Sequence, residues 1–274
     1  MKKTTQSIQD KKESNQKITM LTAYDYPTGK LLDESGVDMI LVGDSVANVV
    51  LGLDSTTSMT MDQMIYHAQA VRRGVTNAVL VGDMPYESYQ VNTQMSVSNA
   101  KRFVEEAGCD AIKLEWFDDC IAVTKSIVEE GIAVMGHVGL TPQTAEQLGG
   151  MKVQGKDAIS AREIIKQARA LKEAGCFSVV LECIPDLLAK RITEQISIPT
   201  IGIGAGVDCD GQVLVTHDML GLFDRYHPKF VKSYVDLSSA IKSGVKEYCD
   251  EVSKGAFPST GQSFTMSPEE FNKL

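Results

Sequence analysis

Residues 34–45 read ESGVDMILVGDS, and residues 72–84 read RRGVTNAVLVGDM. In both, a charged stretch ends in Gly, an apolar run follows, and a Gly-Asp pair closes it. The order returns at 106–116 (EAGCDAIKLEW), 129–140 (EEGIAVMGHVGL) and 173–185 (EAGCFSVVLECIP), there without the closing Gly-Asp. Gly suits the left-handed position just past a helix C-terminus. The five glycines lie 38, 34, 23 and 44 residues apart, which is the scale of a βα unit. Runs such as MILVG and SVVLE are nearly continuous in apolar residues, as expected for strands covered on both faces of a parallel sheet.

Working outward, strands are predicted at 17–25, 37–45, 77–85, 110–116, 132–138, 177–184, 199–204 and 212–218. Helices fit between them. Val97, Ala100, Val104 and Ala107 share one helical face, and Ile164, Ile165, Ala168 and Leu171 form an apolar stripe. Thr60-x-x-Gln63 and Ser160-x-x-Glu163 read as capping boxes. Eight strands alternating with helices predict an α/β (β/α)8 TIM barrel, with an open doubly wound sheet as the alternative. No interdomain linker is visible, so residues 1–274 read as one domain. Residues 1–16 read as a polar, mobile tail, and 222–274 as a C-terminal extension with a helix near 234–254.

Composition narrows the function. The 274 residues carry a formal charge of −9, with 43% hydrophobic and 23% charged side chains. That is globular composition, and its sign argues against broad binding to nucleic acid or an anionic membrane. A local basic pocket for a small anion stays open. The N-terminal lysines are followed by no apolar stretch, so they do not read as a secretory signal. Six cysteines without a Cys-x-x-Cys pair suggest a reducing cytoplasm rather than disulfides or zinc.

In this barrel the chemistry gathers at the C-terminal ends of the strands. Those ends carry Asp44-Ser45, Asp83, Lys113 with Glu115, His137, Glu182, the Gly202-x-Gly204-x-Gly206 turn and His217. Asp44, Asp83 and Glu115 come from three neighbouring strands, and hard carboxylate oxygens with room for water suit Mg2+. Each acid could equally cap a helix or meet a lysine. Glu182, ending an apolar run across the barrel, suits a general base, with pairing to Lys113 or His137 as the other reading. The glycine turn fits a close-packed backbone better than a nucleotide site, because the full GxGxxG spacing is missing. His67 reads as structural, while His137 and His217 are open between substrate contact and a structural bond. The loop 46–59 (VANVVLGLDSTTSM) has the make-up of a lid.

The strings VGDSVANVVLGLDST, VGDMPYESY, KLEW, MGHVGLTPQ, VLECIP, IGIGAG and GQVLVTHDMLGL, in this order, resemble the ketopantoate hydroxymethyltransferase family over about residues 17–264. The VANVVLG wording after Asp44-Ser45 departs from the usual pattern without touching the acids. The resemblance implies a Mg2+-dependent barrel of the phosphoenolpyruvate/pyruvate superfamily. Its activity would move a one-carbon unit from 5,10-methylenetetrahydrofolate to 3-methyl-2-oxobutanoate, giving 2-dehydropantoate on the route to pantothenate. It implies Asp44, Asp83 and Glu115 as metal ligands and Asp44, Ser45, Asp83 and Lys113 as keto acid contacts. Glu182 would be the proton acceptor. It also implies a cytoplasmic homo-oligomer, commonly a decamer. The alternative is a Mg2+-dependent C–C or P–C lyase or mutase, but the KKCGH-like loop of those enzymes is absent from the sequence.

Overall fold

The computed structural model describes residues 2–225 and 227–274. The chain opens with helix α1 (Thr5–Glu13) and then alternates. In order come β1 (Ile18–Thr22), α2 (Tyr26–Glu34), β2 (Met39–Val42), the short α3 (Val46–Val49), α4 (Met61–Arg72), β3 (Val79–Asp83) and α5 (Thr93–Glu105). They are followed by β4 (Ala111–Lys113), α6 (Cys120–Glu129), β5 (Val134–Gly139), α7 (Ala158–Glu173), β6 (Ser178–Glu182), α8 (Asp186–Gln195), β7 (Thr200–Ile203) and β8 (Gly211–Leu214). The eight strands pair in sequence order, all parallel, and β8 closes on β1. The barrel expected from the sequence is therefore the one observed.

Two apolar layers explain the strand composition. Met39 and Leu41 of β2 and Val79 and Val81 of β3 belong to an inner cluster with Met20, Ala111, Met135 and Val180. Their neighbours Ile40, Val42 and Leu80 belong to the layer beneath the helices. Alternation between two apolar environments leaves no polar face, hence the continuous runs. It also fixes the site: two residues beyond the inward Val81, Ala111, Met135 and Val180 lie Asp83, Lys113, His137 and Glu182. These four therefore point inward at the C-terminal end of the barrel.

Three expectations need correction. Residues 1–16 are not a mobile polar tail, because α1 occupies Thr5–Glu13 with a Thr4 capping box. Ile8, 1% exposed, joins the inner cluster, while Lys11 sits 2.7 Å from Asp38 and Lys12 sits 2.7 Å from Asp210. Those partners lie far along the sequence, so a local reading sees only a polar segment. The α7 cap is Asp157, whose carboxylate accepts from Ile159 and Ser160 backbone N–H groups, so Ser160 lies inside the helix. The eighth strand stops at Leu214, short of 218, because Thr216 turns to bond Thr22, its N–H to Oγ1 at 3.0 Å and its hydroxyl to the carbonyl at 2.5 Å.

The chain divides into two compact units. The barrel unit runs to Thr216 and takes back the segment ending at Val231. The second holds His217–Arg225 and Lys232–Leu274. In it, helices α9 (Thr216–Met219, which begins on the last residue of the barrel unit), α10 (Leu237–Ser253) and α11 (Pro268–Phe271) supply the expected C-terminal helical extension. None of the α10 side chains is buried. No helix among the described residues is long and apolar enough to cross a membrane. All six cysteines are free thiols.

Candidate active site

β2 ends at Val42, and the chain turns through Gly43 so that Asp44 lies just past the strand, 7% exposed. Its backbone N–H donates to Asp83 Oδ2 at 3.1 Å, tying the ends of β2 and β3 together. Ser45 is half-buried, with its hydroxyl 2.8 Å from the Tyr24 hydroxyl. Asp83 and Lys113 are register partners on β3 and β4, and Lys113 Nζ lies 2.8 Å from Asp83 Oδ1. That ion pair is close but not aligned as a hydrogen bond, and Asp83 Oδ1 is left buried without one.

Glu115, 1% exposed, follows two residues after Lys113. Its Oε1 is 3.5 Å from His137 Nδ1, and its Oε2 accepts the Gln143 backbone N–H at 3.0 Å. His137 is shared: its Nε2 lies 3.2 Å from Glu182 Oε2, and Lys113 Nζ stands 3.4 Å from its Nδ1. Gln143, on a single 3-10 turn (Pro142–Thr144) after β5, donates from Nε2 to Asp44 Oδ2 at 2.9 Å. The two ends of the site, carboxylate pair and general-base candidate, are thus joined through Lys113, His137 and Gln143.

The electrostatics follow from burial. Asp83 is raised to about 7, first by desolvation, against which Lys113 acts, with the Asp44 and Glu115 charges adding to the rise. Glu115 is raised as well, again first by burial, with His137 and Lys113 opposing. Burial acts to lower Lys113, but Asp83, Glu115 and Asp44 outweigh it and the net shift is upward. His137 is pushed down by burial and by Lys113, yet the facing Glu115 and Glu182 carboxylates carry it to about 9. More negative charge is gathered here than Lys113 and His137 comfortably balance, and an added cation would relieve it.

The sequence-predicted residues divide accordingly. Asp44, Asp83 and Lys113 are brought into contact, and Glu182 joins them through His137. The three acids do not converge as a ready-made cage: among the described residues no group of three or more His, Cys, Asp or Glu is placed to hold a metal ion. Glu115 is instead occupied by His137 and Gln143. What does fit a cation is the pair Asp44 and Asp83, all-oxygen donors at neighbouring strand ends, with Asp83 Oδ1 buried and held only by the Lys113 ion pair. His67 is structural as expected, its Nδ1 2.8 Å from the Tyr24 carbonyl. His217 belongs to the second unit. The 202–206 turn is close-packed: a Cβ on Gly206 would lie 2.6 Å from Asp186 Cβ. The expected lid is mixed, with Val46 and Ala47 buried and Val50, Leu51 and Leu53 exposed. Gln143 and Tyr89 carried no charge to flag them, and their place in the site comes only from the fold.

Comparison with known proteins places the chain in a family. The family model described as ketopantoate hydroxymethyltransferase matches residues 2–260. The chain is 51% identical over 267 residues to 3-methyl-2-oxobutanoate hydroxymethyltransferase of Syntrophomonas wolfei, covering 97% of each. It is 51% identical to the same-named protein of Clostridium botulinum (strain 657 / Type Ba4), covering 100% of both. Among solved structures, phosphonopyruvate hydrolase superposes with a TM-score of 0.63 at 13% identity, over 100% of this chain and 94% of that one. A 2,3-dimethylmalate lyase gives 0.60 at 14%, over 100% and 95%. The structural likenesses speak to the fold alone, whereas half-identity over the whole length is a statement of kinship: the chain is an enzyme and belongs to the ketopantoate hydroxymethyltransferase family.

Proposed function

We propose that this protein transfers a one-carbon unit from 5,10-methylenetetrahydrofolate to 3-methyl-2-oxobutanoate, giving 2-dehydropantoate for pantothenate synthesis. The observation that carries the reading is the inward row of Asp83, Lys113, His137 and Glu182 beside Asp44, in a chain half identical to named hydroxymethyltransferases. Asp44 and Asp83 would hold Mg2+, with Glu115 held close by His137 and Gln143. When bound, the ion supplies Lewis-acid polarisation of the keto acid's oxygens.

The chain's own groups divide the remaining work. Lys113, charged and buried, pairs with the anionic substrate. The Ser45 hydroxyl, fixed by Tyr24, offers a further hydrogen bond. Glu182 takes the proton from the carbon beside the ketone, and His137 at 3.2 Å orients its carboxylate. The carbon then bonds to the donor's methylene; both methylene C–N bonds break, water supplies the hydroxyl, and the abstracted proton and one water proton end on the nitrogens of the departing tetrahydrofolate. No protein nucleophile is required.

The lyase or mutase reading rests on fold likeness at 13–14% identity and is the weaker one. The test is direct. Purified protein, Mg2+, the keto acid and methylenetetrahydrofolate should yield 2-dehydropantoate by mass spectrometry. Folded protein that makes none, while cleaving isocitrate-like acids, would replace this reading with the other. A cytoplasmic homo-oligomer, commonly a decamer, belongs to the same proposal and is checked by light scattering of the native protein.

A further inference from the structure

We propose that Gln143 is a positioning residue that orients the Asp44 carboxylate for ligand binding and tethers Glu115 beside it, with the Tyr89 hydroxyl fixing its amide. The inference rests on the proposed function only for the identity of the ligands. Gln143 is 4% exposed. Its Nε2 donates to Asp44 Oδ2 at 2.9 Å and to the Met84 carbonyl at 3.1 Å. Its Oε1 accepts the Tyr89 hydroxyl at 2.5 Å, and its backbone N–H donates to Glu115 Oε2 at 3.0 Å. Every polar atom of the side chain is in use, and two acids from different strand ends are held by one residue.

The orientation of the amide is forced. Asp44 Oδ2 and the Met84 carbonyl both accept only, so a flipped amide would set oxygen against two oxygens. Tyr89 completes the pattern from the other side. It is 1% exposed, and its ring packs edge-on against Phe117 at 5.2 Å between centroids. The turn that carries Gln143 is itself anchored: Thr141 and Thr144 hydroxyls lie 2.7 Å apart, and the Leu140 N–H donates to the Glu182 carbonyl at 2.9 Å. Residues 140–144 therefore link the backbone of the general-base candidate to the side chains of the acids. Gln143 makes no contact with the Glu182 carboxylate, so its influence falls on binding rather than on proton removal.

The test is calorimetric titration with Mg2+ and then with 3-methyl-2-oxobutanoate, beside steady-state kinetics, for Gln143→Ala and Tyr89→Phe. Loss of a hydrogen bond to a charged group predicts keto acid affinity weaker by about 10-fold or more in Gln143→Ala. KM should rise with it, while kcat stays within about threefold. Tyr89→Phe removes one oxygen and should show the same split more weakly; it carries the comparison if Gln143→Ala does not fold. A merely structural role would not separate KM from kcat in this way. Wild-type protein that binds neither ligand refutes the proposed function and this inference together. Wild type that binds both, beside a folded Gln143→Ala that binds them within twofold or loses only kcat, overturns the inference alone.

Discussion

Asp33, near the end of α2, offers the sharpest quantitative test of how the barrel holds β3 in place. The carboxylate is 5% exposed and accepts from the backbone N–H groups of Thr76, Asn77 and Ala78, and from the Thr76 and Asn77 side chains. Burial acts to raise its pKa, but these donors outweigh burial and lower it from 3.8 to about 2. A depressed carboxylate contributes stability above its unfolded pKa and loses it as pH falls through the folded one. Between 3.8 and about 2 the linked contribution is about 2 kcal/mol at pH 7, with about half gone by pH 3. Asp33→Asn keeps the shape, but turns an NH2 toward backbone donors, which adds about 1–3 kcal/mol. The expected loss is therefore about 3–5 kcal/mol at pH 7, narrowing by about 1 kcal/mol at pH 3. Urea unfolding followed by the fluorescence of the one Trp, Trp116 in the barrel unit, measures both values. A gap below about 1 kcal/mol at pH 7, or one unchanged at pH 3, refutes the account. Activity well below the melting temperature should stay near wild type, because Asp33 touches the loop before β3 and not Asp83 itself.

Other outcomes follow from the same geometry. Glu182→Gln should lower kcat by about 100-fold or more while Mg2+ and keto acid binding persist in calorimetry; a near-normal rate removes Glu182 from its role. Ile8→Ala should cost about 2–5 kcal/mol in urea unfolding, because α1 contributes this side chain to the inner cluster; an unchanged midpoint would mean α1 does not pack in solution. Gly82→Ala would set its Cβ against Phe103 Cδ1, within overlap distance, and should destabilise by about 1–3 kcal/mol. Pairing it with Phe103→Leu should recover part of that loss, and no recovery would point away from the steric explanation.

Much of this was legible in the linear chain because the signals are local and repeated. A Gly after a charged helix end, followed by an apolar run, encodes a βα unit, and eight of them favour a barrel over the open doubly wound sheet, while closure itself is the pairing of β8 with β1. Asp44, Asp83, Lys113 and Glu182 were legible because a charge at the end of an apolar strand stands out. Strand alternation turns Asp83, Lys113 and Glu182 inward, whereas Asp44 reaches the site just past β2 through the turn at Gly43. The eighth strand's early stop was not legible, since Thr216 is turned away by Thr22, a residue remote in sequence.

By itself, then, the sequence determined the barrel, the row of ionisable groups at its mouth and the family. Only the tertiary structure decided how those groups share charge. Burial raised Asp83 and Glu115, and it set His137 between Glu115 and Glu182. It also decided that α1 is part of the barrel, because Lys11 and Lys12 find Asp38 and Asp210 only after the chain has closed. Gln143 shows the reason most plainly. A neutral amide has no pattern of its own, and its role arises where Asp44, Glu115 and Tyr89 are carried to within 3.0 Å of it by three other segments.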